Sequence, residues 1–350
     1  MNIIGCDLQT RNQQIAMLDT ETGELVEGRL EPENGEARKF YASLPRGARV
    51  GIKATAPARW FERTLAEFGH ELWVGDAARI RAQVVRQQKT DRNDAVHLLE
   101  LLQTDRFPRI WIPSLGERDG RQMLRHRHKL VGMRTAVQNQ LHSLAMSEGV
   151  CRRKKLWRAR GRVELEKLAL GPWASRRRAE LLQLLDSLEA SIEPLDRAVE
   201  KEAKQNAAAV RLMSQPGVGP ITALAFVLTM GPVERFPRSK QVVSYLGLNP
   251  REHSSGERQR LGSISKQGNV MMRWLLVEAG QTAARLDPEL RRKYLRLKFR
   301  RGSSVAKVAI ARTLAVKLYW MLRHANENAQ PVRMSGSPSS GVVPTLGSRE

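Results

Sequence analysis

Cysteine is scarce in this chain. Its two cysteines, Cys6 and Cys151, form no metal-ligand spacing. Thiol usage this sparse suits a reducing cytoplasm and argues against a disulfide-stapled scaffold. Long uncharged apolar runs are missing too. The longest apolar stretches are interrupted within about a dozen residues, too short to span a bilayer. The opening "MNIIGCDLQT" has no basic prelude, so no secretory leader is expected. His126 and His128 in "RHRHKL" stand without further clustered ligands, which argues against zinc and for a basic surface. Serines are present, but no His–Asp partner in triad spacing accompanies them, so ester hydrolysis is the weaker reading. Acidic residues are the most telling shortage. There are 36 Asp and Glu against 59 Lys and Arg, a formal charge of +23 over 350 residues.

A surplus of that size exceeds ordinary solubility needs and points to a polyanionic partner. The cations are spread along the chain, as expected if several surfaces meet nucleic acid. The length suits more than one domain. In the first third, "NIIGCDL", "QQIAMLDTETGELVEGRL", "RVGIKAT" and "ELWVGD" read as strands. "APARWFERTLAEFGH" and the stretch from Asp91 through "AVHLLELLQ" read as helices, the latter with Thr90 as its N-cap. The order β-β-β-β-α-β-α predicts a mixed sheet with helices packed on it.

Carboxylates are conspicuous against this background. Asp91 and Asp94 lie three residues apart at a helix start, so they share a face. They fit either an acid or metal pair or ordinary charges favoured by the helix dipole. Asp7 sits among Ile3, Ile4 and Leu8 on the first strand, where a carboxylate is costly unless paired or metal-bound. An Asp on a strand and an Asp pair on a later helix could converge on Mg²⁺ or Mn²⁺, which favour such oxygen ligands. That chemistry serves phosphodiester cleavage.

The middle of the chain reads as two long helices, 117–149 and "RRRAELLQLLDSLEASIEPLDRAVEKEAKQ", the second with leucines at 181, 185, 188 and 195. An antiparallel coiled-coil arm and a two-helix piece of a bundle both fit. Arg152, Arg153, Lys154 and Lys155 in the connection are candidate phosphate contacts. Further on, "PGVGP" places Gly217 and Gly219 in a turn before an apolar helix. Its amides could clamp a DNA phosphate in a helix–hairpin–helix manner, or the turn could be purely structural. "REHSSGERQRLGSISKQGN" sets Ser254, Ser255, Ser263 and Ser265 among Arg251, Arg258, Arg260, Lys266 and Arg273. That company fits a serine attacking phosphate with arginines stabilising the transition state. Ser255 is preferred over Ser254, because Gly256 beside it lets the backbone approach a phosphate. "RRKYLRLKFRRGSSVAKVAIARTLAVKLYWMLRH" adds another basic surface and a closing helix. Residues from about 326 read as a disordered tail.

The segments "GCDLQTRNQQIAMLD", "KTDRNDA", "PGVGPITALAFV", "YLGLNPREHSSGERQRLGSISKQGN" and "KVAIARTLAVKLYWML" carry a resemblance over nearly the whole chain. It resembles the DEDD transposases of bacterial insertion sequences, the bridge-RNA-guided recombinases that join a RuvC-like domain to a serine-bearing transposase domain. The resemblance implies an α/β RNase-H/RuvC-like catalytic domain over residues 1–115 and a helical coiled-coil arm over 116–205. It places a mostly α-helical transposase domain with a helix–hairpin–helix-like element at 206–325, and a disordered tail at 326–350. It also implies Mg²⁺ held by Asp7, Asp91 and Asp94, and a serine of "HSSG" that links covalently to DNA. Expected partners are double-stranded donor and target DNA, a structured guide RNA and further copies of the chain, as a dimer or tetramer. The expected location is the cytoplasm, on the nucleoid, with no membrane. One departure stands out. The family's second acidic residue falls within "GIKAT", where this chain has Lys53. A protonated lysine cannot ligate Mg²⁺, and it competes for the carboxylates. An impaired transposase, an inactive DNA- and RNA-binding product and a RuvC-like structure-specific nuclease are the readings to separate. The serine loop speaks against the nuclease.

Overall fold

The computed structural model describes residues 1–9, 11–54, 59–84, 91–151, 156–252 and 260–329, with backbone alone at 261 and 326–329. The chain divides into two compact units, Met1–Pro113 and Ser114–Glu350.

In the first unit the strands are β1 (Asn2–Leu8), β2 (Gln13–Asp19), β3 (Leu25–Leu30), β4 (Arg49–Lys53) and β5 (Glu71–Gly75). They form one sheet in the order β3-β2-β1-β4-β5. The three strands on one side pair antiparallel, whereas β1, β4 and β5 run parallel. Helices α1 (Glu36–Ser43) and α2 (Arg59–Glu67) cover one face. There Tyr41, Phe61 and Leu65 pack on Ile4, Cys6, Ile15, Val50 and Ile52. On the other face α3 (Ala77–Ala82) and α4 (Asp91–Gln103) place Ile80, Ala95, Leu98, Leu99 and Leu102 against Ile3 and Ala16. Burial on both faces explains why β1 reads as a nearly continuous apolar run. The order is therefore β-β-β-α-β-α-β-α-α, with four helices where the sequence predicts two. α1 escapes periodicity because it buries just Ala37 and Tyr41. α3 is six residues long and is started by Asp76, whose carboxylate accepts from the amides of Ala78 and Arg79. Thr90, the expected cap of α4, lies outside the described residues.

Cys6 is buried in this sheet, and burial pushes its thiol up to about 12, whereas Cys151 is exposed. Since the thiolate is the reacting form, the native protein should show one fast-reacting thiol with a disulfide reagent such as DTNB. The second should appear on denaturation. Two equally fast thiols would mean that the sheet is not closed by α1 and α2.

The second unit begins with α5 (Leu115–Ser147), which Ser114 and Glu117 start with a reciprocal capping box. After the short α6 (Ala159–Glu166), α7 (Pro172–Gln205) packs along α5. Late α5 meets early α7, with Val137, Leu141 and Ala145 on Leu182, Leu185 and Leu188. Early α5 meets late α7 through Arg127 Nε, 2.6 Å from Asp196 Oδ1. The pair is thus antiparallel. Its α7 seam runs through Leu182, Leu185, Leu188, Ile192, Val199 and Ala203, and Leu181 and Leu195 lie half-buried beside it.

The remaining elements are α8 (Ala207–Met213), α9 (Pro220–Met230), a 3-10 turn (Val233–Arg235), α10 (Ser239–Tyr245), the hairpin β6 (Pro250–Glu252) and β7 (Leu261–Ile264), α11 (Val270–Leu286), α12 (Pro288–Arg301) and α13 (Ser303–Ala329). α9 is apolar nearly all round and lies in the core with Phe226 fully buried, as such a helix must. α13 stays helical past 326, so the tail does not begin there; residues 330–350 lie outside the described residues. No helix among the described residues is long and apolar enough to cross a membrane.

Candidate functional site

The pleat of β1 alternates its side chains between the two faces. Ile4 and Cys6 therefore point towards α1 and α2, while Ile3, Gly5 and Asp7 face α4. β4 lies parallel beside β1 with Cys6 opposite Ile52, so Asp7 and Lys53 leave the same end of the sheet side by side. Gly5 lets α4 come down onto the strands. A Cβ there would stand 2.2 Å from the carbonyl oxygen of Ala95 and 2.5 Å from the amide nitrogen of Leu99. That close approach brings Asp94, the residue before Ala95, to the sheet end.

The three side chains meet. Lys53 Nζ lies 2.6 Å from Asp94 Oδ2 and 3.4 Å from Asp7 Oδ1, and the side chains are 13–18% exposed. Gln9 Nε2 donates to the other Asp7 oxygen at 3.1 Å. Gln9 is not singled out by sequence reasoning, although its place two residues beyond Asp7 is a local signal. Asp91 is exposed at the first position of α4. It lies one turn before Asp94, the residue of the pair whose carboxylate accepts from Lys53 Nζ.

Asp7 and Asp94 are hard oxygen donors of the kind that suits Mg²⁺ or Mn²⁺. As the site stands, the ammonium of Lys53 holds the position between them, and a second cation there would be repelled. Among the described residues no group of three or more His, Cys, Asp or Glu side chains converges as metal ligands. With Lys53 between the two carboxylates, the described residues make a poor fit for a divalent ion.

In the second unit, Ser254, Ser255 and Arg258 lie outside the described residues, as do Arg152, Arg153, Lys154 and Lys155. The frame that carries the serine segment is described. β6 and β7 pair antiparallel, with Glu252 opposite Leu261. At the hairpin's base, Gly247 and Gly268 interlock, both with positive φ (66° and 70°). A Cβ on Gly247 would come within 2.2 Å of Gln267 O, and one on Gly268 within 2.2 Å of Tyr245 O. Glycine is thus required at both positions for conformation and for space. Ser265 Oγ donates to Asn249 Oδ1 at 3.0 Å and steadies the same base. Arg251, Arg260 and Lys266 are exposed around it.

Arg273 is different. It is 8% exposed, and its guanidinium donates to the carbonyls of Leu246 and Gln267. Loss of water lowers its pKa from the usual arginine value. It braces the loop from within and offers no open phosphate contact, which corrects the sequence expectation. Gly217 packs its Cα against the backbone of Ala279 and Ala283 in α11, whereas Gly219 opens α9 with free space around it. Of the turn's two glycines, Gly217 serves packing.

These features find relatives. Residues 209–295, which hold the glycine turn and the hairpin, match the model of the transposase IS116/IS110/IS902 family. A protein of Pseudomonas aeruginosa, described as a probable family 20 transposase, is 30% identical over 330 residues, covering 91% of this chain and 96% of its own. The transposase for insertion sequence element IS1111A of Coxiella burnetii is 29% identical over 92% of this chain and 89% of its own. The transposase for element IS1328 of Yersinia enterocolitica is 25% identical over 80% and 83%. Similarity at that level runs through the sheet of the first unit as well as the hairpin of the second, and the chain belongs to the IS116/IS110/IS902 family of transposases.

Proposed function

We propose that this family member breaks and rejoins DNA through a phosphoserine link made by Ser255, or by Ser254, and that Lys53 impairs that activity. In this reading the first unit is RNase-H/RuvC-like, the α5–α7 pair is an arm, and residues 206–325 carry the serine chemistry. The protein works as a dimer or tetramer on donor and target duplexes with a structured guide RNA, in the cytoplasm on the nucleoid. The observation that carries the reading is the meeting of Asp7 and Asp94 from β1 and α4 at one sheet end. Their sheet, with antiparallel strands on one side of β1 and parallel strands on the other, supports it.

The serine Oγ would attack a DNA phosphorus, and the bond to one strand oxygen would break. The serine proton would leave through solvent as that oxygen takes one up to depart as a hydroxyl. Attack by a strand hydroxyl on the phosphoserine reverses the exchange. Arg251, Arg258, Arg260 and Lys266 would hold the phosphates, and Arg152 to Lys155 and the Gly219 amide would add backbone contacts. Asp91, with Asp7 and Asp94, would complete a Mg²⁺ or Mn²⁺ site where an acidic residue replaces Lys53. With Lys53 present, divalent binding is weak. The ion pairs of Lys53 favour a second reading, a nucleic-acid-binding product with little catalytic activity.

Incubation with element-end DNA and RNA, followed by peptide mass spectrometry, tests the proposal. The expected result is a nucleotide adduct on Ser255 or Ser254, rare in the parent and more abundant in Lys53→Glu. An adduct on neither serine in either protein sinks the serine assignment.

A further inference from the structure

α12 carries an unusual outer face. Phe299 is 95% exposed and Leu295, one turn earlier, is 51% exposed. As an i, i+4 pair they form one apolar stripe on the helix surface. Cations surround it: Arg291, Arg292, Arg296, Lys298, Arg300 and Arg301 are all exposed. None of these six makes an ion pair among the described residues. No acidic residue occurs between Glu289 and Glu327. The inward face is already committed, since Leu290 packs with Ala283, Ala284 and Ile310 and has Tyr294 against it. Lys293 Nζ donates to Thr313 Oγ1 at 2.9 Å. Phe299 is therefore not a core residue that has missed its place; the core side of this helix is filled by others.

An exposed phenyl ring within a field of unneutralised cations matches one ligand chemistry. Phosphates answer the arginines, and a base that is free to unstack answers the ring. A second copy docking through the same face is a poor occupant, because it would bring two such cationic stripes together. A membrane surface would ask for a broader apolar face than one turn of helix provides. We propose that the outer face of α12 binds unpaired nucleotides, with Phe299 stacking on a base, Leu295 flanking it, and Arg292, Arg296 and Arg300 on the adjoining phosphates. The proposal rests on nucleic acid being the protein's partner, but on neither the serine nor the acidic cluster. The nucleotides belong either to an RNA loop or to an unpaired DNA strand.

Binding of the full-length protein to one fluorescein-labelled sequence, prepared as single-stranded RNA, single-stranded DNA and duplex DNA, decides it. Phe299→Ala should weaken single-strand binding about tenfold, the scale of one lost base–aromatic stack, and leave the duplex nearly unchanged. Phe299→Trp should retain the parent's affinity. Because the ring is exposed, thermal melting of both variants should match the parent. Loss on RNA alone assigns the surface to an RNA loop, and loss on DNA alone to an unpaired DNA strand. Equal affinities of Phe299→Ala and parent for all three probes overturn the proposal, as does an equal loss on all three. A change of sedimentation in Phe299→Ala with binding intact would make the face a contact between copies and also overturn it. If the unaltered protein binds none of the probes, the nucleic-acid reading itself falls.

Discussion

Gly5→Ala is expected to destabilise the first unit by ~3 kcal/mol, at the upper end of what overpacking costs. The added methyl group would meet backbone atoms of α4, at 2.2 Å and 2.5 Å, and not the flexible end of a side chain. No rotamer change can relieve that overlap. The helix must lift from the sheet, and the packing of Ala95, Leu98, Leu99 and Leu102 on Ile3 and Ala16 loosens with it. Asp94 would then draw away from Lys53, so loss of the ion pair accompanies loss of the core. Urea unfolding followed by circular dichroism gives the measurement. Gly28→Ala is the matched control, since a Cβ there meets no atom closer than 3.8 Å. Parent-like unfolding of Gly5→Ala would show that α4 does not press on β1 as described.

Lys53→Glu should have the second large effect, with a sign that depends on divalent cations. Removing the ammonium leaves Asp7 and Asp94 facing each other at 13% and 18% exposure, and the new carboxylate adds to the repulsion. Breaking one side of a fully buried ion pair costs about 3–5 kcal/mol. Partial exposure brings the expectation here to ~2–3 kcal/mol. A divalent ion that bound the altered cluster would restore stability by mass action, about 2.7 kcal/mol at one hundred times its dissociation constant. Thermal melts with and without Mg²⁺ or Mn²⁺ should therefore diverge for Lys53→Glu and nearly coincide for the parent. Lys53→Met should be destabilised with less recovery in metal, because Asp7, Asp91 and Asp94 then lack the further carboxylate that Lys53→Glu adds. If the parent melt shifts with Mg²⁺ as much as Lys53→Glu does, Lys53 does not block the site.

The strands of the first unit are legible because β1 is a short, nearly continuous apolar run and the apolar residues on either side of the "ETGE" turn roughly alternate. The α5–α7 pair is legible because its leucines recur over many turns. α1 is not, since two inward residues make no period. The serine loop shows itself through the density of Ser, Gly and Arg in "HSSGERQRLGSIS". Its supporting glycines, Gly247 and Gly268, cannot be paired from sequence, because Gly247 is spaced against the backbone of Gln267 and Gly268 against that of Tyr245.

By itself the sequence determined the charge balance, the periodic elements, the motifs that carry the resemblance and the presence of Lys53 in "GIKAT". All of these are properties of single residues or of neighbours within a few turns, where local sterics and side-chain period set the outcome. Tertiary structure alone decided which charges meet. Asp94 reaches Lys53 across 41 residues and Asp7 does so across 46. Asp91, one turn before Asp94 on the same helix, stays exposed. The same distinction separates Arg273, turned inward onto carbonyls, from Arg251 and Arg260 at the surface. The reason is that a chain folds by burying apolar faces, and the docking of those faces carries polar side chains to places their own sequence neighbourhood does not specify. At the α4–β1 contact a glycine sets the helix height, and that height puts one aspartate of the pair beside the lysine.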